Sequence, residues 1–170
     1  MHNSNDNRID GNRDSAEGPE LLINLPDEAS TSQFAAQLAE TISPGMVLYL
    51  RGELGAGKTT LVRALLNALG YQGRVKSPTY TLLEQYNVGG FSFCHFDLYR
   101  FQDAMEWETT GFNDEFNGEN ICLVEWPEQA AGLLPPADME IFFEILPEGR
   151  KIKIYAKSNA GKACLSSLQK

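Results

Sequence analysis

The chain has 170 residues, is 42% apolar and carries a net charge of −9. That is enough for one domain with a real core. The opening stretch MHNSNDNRIDGNRDSAEGPE lacks an apolar segment, which argues against a secretory signal or membrane anchor, and such acidity argues against clamping nucleic acid unaided.

Residues 1–19 read as a disordered tail, rich in Asn, Asp and Gly. ELLINL (20–25) predicts a first strand. Ser30 and Gln33 form a capping-box pattern, and Phe34, Ala35, Leu38, Ala39 and Ile42 then recur at helical spacing up to Pro44. MVLYL (46–50) follows as a buried strand.

Residues 52–59 read GELGAGKT, which matches the phosphate-binding pattern G-x-x-x-x-G-K-[ST] in full. Each fixed residue has a physical task. The glycines let the backbone turn its N–H groups inward as an anion nest. Lys58 reaches the β- and γ-phosphates, and the Thr59 hydroxyl meets Mg²⁺. Glu53, Leu54, Gly55, Ala56, Gly57 and Thr60 complete the nucleotide-binding loop. The helix that follows adds its positive end and buries Leu61, Val62, Leu65, Leu66 and Leu69, with Gly70 as its stop.

After a polar loop (71–80), TLLEQY and FSFCHFDLY predict strands around a turn at Gly89-Gly90. Residues 103–117 are weakly helical, ICLVEW (121–126) is a buried strand and EQAAGLL a short helix. MEIFFEIL and RKIKIYAK predict a closing hairpin with Ile152, Ile154 and Ala156 on one face. Residues 159–170 read as a C-terminal tail, which leaves 20–158 as the domain. The pattern predicts a three-layer α/β P-loop NTPase fold with a mixed, partly parallel sheet and a C-terminal antiparallel hairpin.

Such a site also needs an acid for Mg²⁺ and a group to orient water. Two predicted strands end in carboxylates, Asp97 and Glu125, at the edge where open α/β sheets place their chemistry. Asp97 is assigned to the metal, and Glu125 to the metal shell or the attacking water. Strand period groups His95, Asp97 and Tyr99. Ser77-Pro78-Thr79 resembles a switch loop in which Thr79 senses the γ-phosphate. Trp126 is placed beside the nucleotide. Nine acids against one base between Asp97 and Glu128 make either a solvated face or a docking surface for a basic partner. Cys94, Cys122 and Cys164 are odd in number and lack C-x-x-C spacing, so a reducing cytosol without disulfide or zinc is expected.

GELGAGKTT, SPTYTL, HFDLYR and VEWPE, in that order, resemble the TsaE (YjeE) family of small bacterial P-loop ATPases across residues 20–157. The resemblance implies an Mg²⁺-dependent, ATP-hydrolysing cytoplasmic protein required for threonylcarbamoyladenosine in tRNA. It implies action through a TsaD–TsaB complex, with tRNA held elsewhere and no membrane. It assigns Lys58 and Thr59 to phosphate and Mg²⁺, Thr79 to the switch, Asp97 to the metal, and Glu125 with Trp126 to the element needed for activity. Two alternatives stand beside it: a nucleotide-switched binding module with little turnover, and a small-molecule kinase. The kinase usually needs an arginine-rich lid, and no such cluster follows the P-loop helix. Arg51, Arg63, Arg74, Arg100 and Arg150 are the arginines beyond the tail, so hydrolysis is expected to be slow without a partner.

Overall fold

A computed structural model describes residues 20–170. The expected tail at residues 1–19 lies outside them. Seven strands form one sheet: β1 (Glu20–Leu25), β2 (Val47–Arg51), β3 (Leu83–Val88), β4 (Phe91–Asp97), β5 (Ile121–Glu125), β6 (Met139–Ile145) and β7 (Arg150–Ala156). Their order across the sheet is β1-β7-β6-β2-β5-β4-β3. β2 runs parallel to both β5 and β6, and β4 parallel to β5. The outer pairs β3–β4, β6–β7 and β1–β7 are antiparallel. This is the mixed α/β arrangement expected, with the closing hairpin inserted next to β2.

Alternation along the strands sends side chains to two faces. Leu48, Leu50, Phe93, Ile121, Leu123, Met139, Ile141, Ile152 and Ile154 face a core completed by α1 (Glu28–Thr41), α2 (Lys58–Ala68) and α4 (Asn159–Leu168). Val47, Tyr49, Cys94, Phe96, Cys122 and Val124 face a second core with Trp107, from α3 (Ala104–Thr110), and Phe112. Phe96 stacks on Phe116 at 5.2 Å between ring centres. All three cysteines are buried free thiols.

Several local expectations need revision, among them the short helix at 128–134, where a single 3₁₀ turn spans Pro127–Ala130 instead. The N-cap of α1 is Asp27, whose carboxylate accepts from the Ser30 amide at 2.8 Å while Ser30 bonds back to the Asp27 amide. Ser30 is therefore the last residue of the capping box, at N3, and not its N-cap, because Asp27 offers the stronger charged acceptor. The strand at 81–86 starts later, at Leu83. The last residues are not a tail: Ser158 caps α4, whose Cys164 and Leu165 are buried against the core. Gly161 hides the helix in a propensity reading. It is required there because an added Cβ would fall 1.9 Å from the Asp138 carbonyl oxygen.

Candidate active site

The strand–loop–helix unit places the phosphate loop at the carboxyl end of β2. Gly55 and Gly57 have φ of +78° and +106°, conformations that side-chained residues rarely adopt. Leu54, Gly55, Gly57, Lys58, Thr59 and Thr60 line a cavity of about 230 Å³ together with Ser77, Thr79, Asp97, Glu125, Trp126 and Arg150. Of the loop residues assigned to nucleotide, Glu53 turns outward and Ala56 packs inward, so neither side chain borders the cavity. Larger hollows exist, one of about 590 Å³ beside Arg63, Arg74 and Lys76, but the phosphate-loop cavity is the place where Gly55, Gly57 and Lys58 meet Asp97 and Glu125.

Both strand-end acids reach this place. Parallel register sets Asp97 directly beside Glu125. Along β4 and β5, His95, Asp97 and Glu125 share the alternation phase of Phe93 and Leu123, on the side of the sheet covered by α2. Glu125 Oε2 accepts from the Thr59 hydroxyl at 2.9 Å and lies 2.5 Å from His95 Nε2. His95 is completely buried, and its Nδ1 lacks a hydrogen-bond partner. An unpartnered buried polar atom of this kind costs about 1–3 kcal/mol.

Burial raises the Asp97 pKa first of all; Glu125 raises it further, while the Tyr99 amide bonded to its Oδ1 at 3.1 Å opposes the shift. Lys58 is buried, and desolvation lowers its pKa, with Glu125 and Asp97 opposing. Its ammonium donates to the Gly52 carbonyl and lies 3.7 Å from the Trp126 ring centre. Trp126 adopts a left-handed φ of +57°. That conformation is costly for an aromatic residue and clusters at functional sites. Tyr99 lies beyond β4, out of the strand period, with its ring 5.0 Å from that of Trp126.

The Thr79 loop is fastened on its C-terminal side through Leu82. The Leu82 amide bonds to the Pro78 carbonyl at 2.7 Å, and the Asp97 amide to the Leu82 carbonyl at 3.0 Å. The Thr79 and Ser77 hydroxyls are 2.7 Å apart. Arg100 leaves the cavity and lies over the exposed Tyr80 ring.

A metal fits part of this set. Among the described residues, no group of three or more His, Cys, Asp and Glu side chains could hold one alone. Mg²⁺ does not need such a cage: one or two carboxylates with phosphate oxygens suffice. Two adjacent buried carboxylates, one with its pKa raised, beside a threonine hydroxyl form a half-site that a cation would relieve.

The family model for "Threonylcarbamoyl adenosine biosynthesis protein TsaE" matches residues 25–152. The chain belongs to the TsaE family. A TsaE protein of Haemophilus influenzae is 45% identical over 148 residues, covering 84% of this chain and 94% of that one. One from Aquifex aeolicus is 40% identical, covering 81% and 99%. Both carry the description tRNA threonylcarbamoyladenosine biosynthesis protein. The crystal structure of YdiB from Bacillus subtilis superposes with a TM-score of 0.74 at 29% identity, over 89% of this chain and 95% of that chain. For this TsaE chain, two contributions to the site escaped sequence reasoning: the His95–Glu125 pairing and the position of Arg150. Both depend on strand neighbours distant in sequence.

Asp97→Asn tests the electrostatics of the site. Because the folded pKa of Asp97 lies above its ordinary value, its ionised form subtracts from stability at neutral pH. The penalty fades as pH falls from the folded value towards the ordinary one. Asn removes the charge and keeps an acceptor for the Tyr99 amide. The variant is expected to melt a few degrees higher without ligand, since 1 kcal/mol is worth about 2–4 °C at this size, and the gain should shrink in acid. Calorimetry from neutral to acidic pH checks this.

Proposed function

We infer that this protein binds MgATP in the phosphate-loop cavity and hydrolyses it slowly, as an ATPase of tRNA threonylcarbamoyladenosine formation that works through a TsaD–TsaB pair. The observation that carries the reading is Glu125, held by Thr59 and His95 inside the cavity that Lys58 lines. Lys58 would bind the β- and γ-phosphates, and Thr59 and Asp97 would hold Mg²⁺, with Glu125 in its outer shell. The ion, when bound, neutralises charge on the β- and γ-oxygens.

The bonds of the side chains support a role for each. Both contacts of Glu125 fall on Oε2, and no donor among the described residues bonds Oε1. Oε1 is therefore available to orient the attacking water. His95 fixes the carboxylate rotamer. Thr79, on its fastened loop, would contact the γ-phosphate and release it after hydrolysis. Trp126 packs its face on Lys58, contributing a cation–π contact worth about 0.5–2 kcal/mol, and keeps water from that side.

Coupling to a partner is supported by the rim. Leu54 at the cavity and Tyr80 next to Thr79 are 60% and 82% exposed. Apolar groups left exposed at the edge of a site suit a protein surface. With a TsaD–TsaB pair added, ATP turnover is expected to rise at least tenfold over the isolated chain. Equal rates with and without the pair would contradict partner coupling and leave the nucleotide site standing.

A further inference from the structure

Arg150 opens β7, far from the phosphate loop in sequence, yet its side chain lies against that loop. A Cβ added at Gly57 would meet Arg150 Nη1 at 1.8 Å, Cζ at 2.7 Å and Cδ at 2.9 Å. The guanidinium thus occupies the space that a side chain at residue 57 would take. It borders the same cavity as Lys58, Thr60, Asp97 and Glu125.

The other arginines are engaged or lie elsewhere. Arg51 pairs with Glu128 and Glu140, Arg100 covers Tyr80, and Arg63 and Arg74 line the separate hollow. Among the described residues, ion pairs join Arg51, His95, Lys151, Lys153 and Lys157 to carboxylates, and Arg150 is in none of them. Its neighbours Lys151 and Lys153 reach Glu144 and Glu20. A half-buried guanidinium beside the inward amides of a phosphate loop concentrates positive potential that a polyanion would balance.

We propose that Arg150 is a nucleotide-binding residue whose guanidinium contacts the α- and β-phosphates, supplied by the chain to its own site. The level follows from its neighbours. It lies against Gly57 and, with Thr60, also borders a hollow near Asp27 on the far side of the loop. The backbone of this loop cradles the α- and β-phosphates, while Lys58 extends to the γ. Arg150 is therefore a ground-state binding group that treats ADP and ATP alike, and not a transition-state finger. This rests on the nucleotide reading above.

The test is calorimetric titration of ADP and of ATP, each with Mg²⁺, into wild type, Arg150→Lys and Arg150→Met, with unliganded melting temperatures and steady-state kinetics. Arg150→Met is expected to weaken both nucleotides roughly 10- to 100-fold, as loss of hydrogen bonds to a charged group should. Lysine should recover part of this, because it keeps charge but loses the planar fork. KM should rise with kcat within about threefold, since uniform binding is what is lost. The unliganded melting temperature should stay within a few degrees of wild type. Wild-type affinity for ADP in Arg150→Met overturns the inference alone. Loss confined to ATP, or to kcat, overturns the assignment to the α- and β-phosphates. A wild-type chain that binds neither nucleotide overturns the nucleotide reading and this inference together.

Discussion

Glu125→Gln should lower ATP turnover by about 10²–10⁴-fold, the range for loss of a positioned general base, while ATP affinity stays within a few-fold of wild type. Glutamine preserves the side-chain volume, and its carbonyl oxygen can still accept from Thr59 and His95. What it loses is the negative charge that polarises water and attracts the metal. Because Glu125 is only 3% exposed, the isosteric variant avoids the extra void that alanine would leave. Quenched-flow phosphate release beside equilibrium ATP titration separates the two effects. Unchanged turnover would place the water-orienting group elsewhere. If turnover fell but function in the tRNA pathway survived with ATP still bound, the protein would be a nucleotide-switched module.

Lys58→Ala should bind ATP at least ~30-fold more weakly, given about 2–5 kcal/mol for truncating one side of a buried charged pair. The fold should survive. Lys58 lies in the site and serves the ligand: its polar contact is the Gly52 carbonyl, and its packing contact is the Trp126 face. Desolvation already lowers its pKa in the unliganded chain, so the folded state holds this ammonium at a cost that nucleotide binding recovers. Circular dichroism and thermal melting of the variant should match wild type without ligand, and the stabilisation that ATP gives wild type should vanish. Retained ATP stabilisation in Lys58→Ala would remove the loop from the binding site.

These expectations divide the information in the chain by range. The phosphate loop was readable because it is local: strand, glycines, lysine, threonine and helix follow one another within about two dozen residues. Asp97 and Glu125 were readable because period-2 patterning marks where a buried strand ends. Asp27 was not seen as the cap, since several oxygen-bearing side chains between residues 27 and 33 compete for the same amides. The helix at 159–168 was missed because its stability comes from docking Cys164 and Leu165, against the local preference of Gly161. Arg150 and the His95–Glu125 pair were out of reach for a different reason. They depend on the sheet order, in which β6 and β7 lie on one side of β2, with β5 and β4 on the other. Nothing in one sequence specifies that order.

The most direct measurement is phosphate release from ATP into water, with Mg²⁺ present, no acceptor added, and Lys58→Ala as the blank. The account predicts slow release by wild type that the blank abolishes. ATP bound by wild type with no release beyond the blank, with or without a TsaD–TsaB pair, would contradict it.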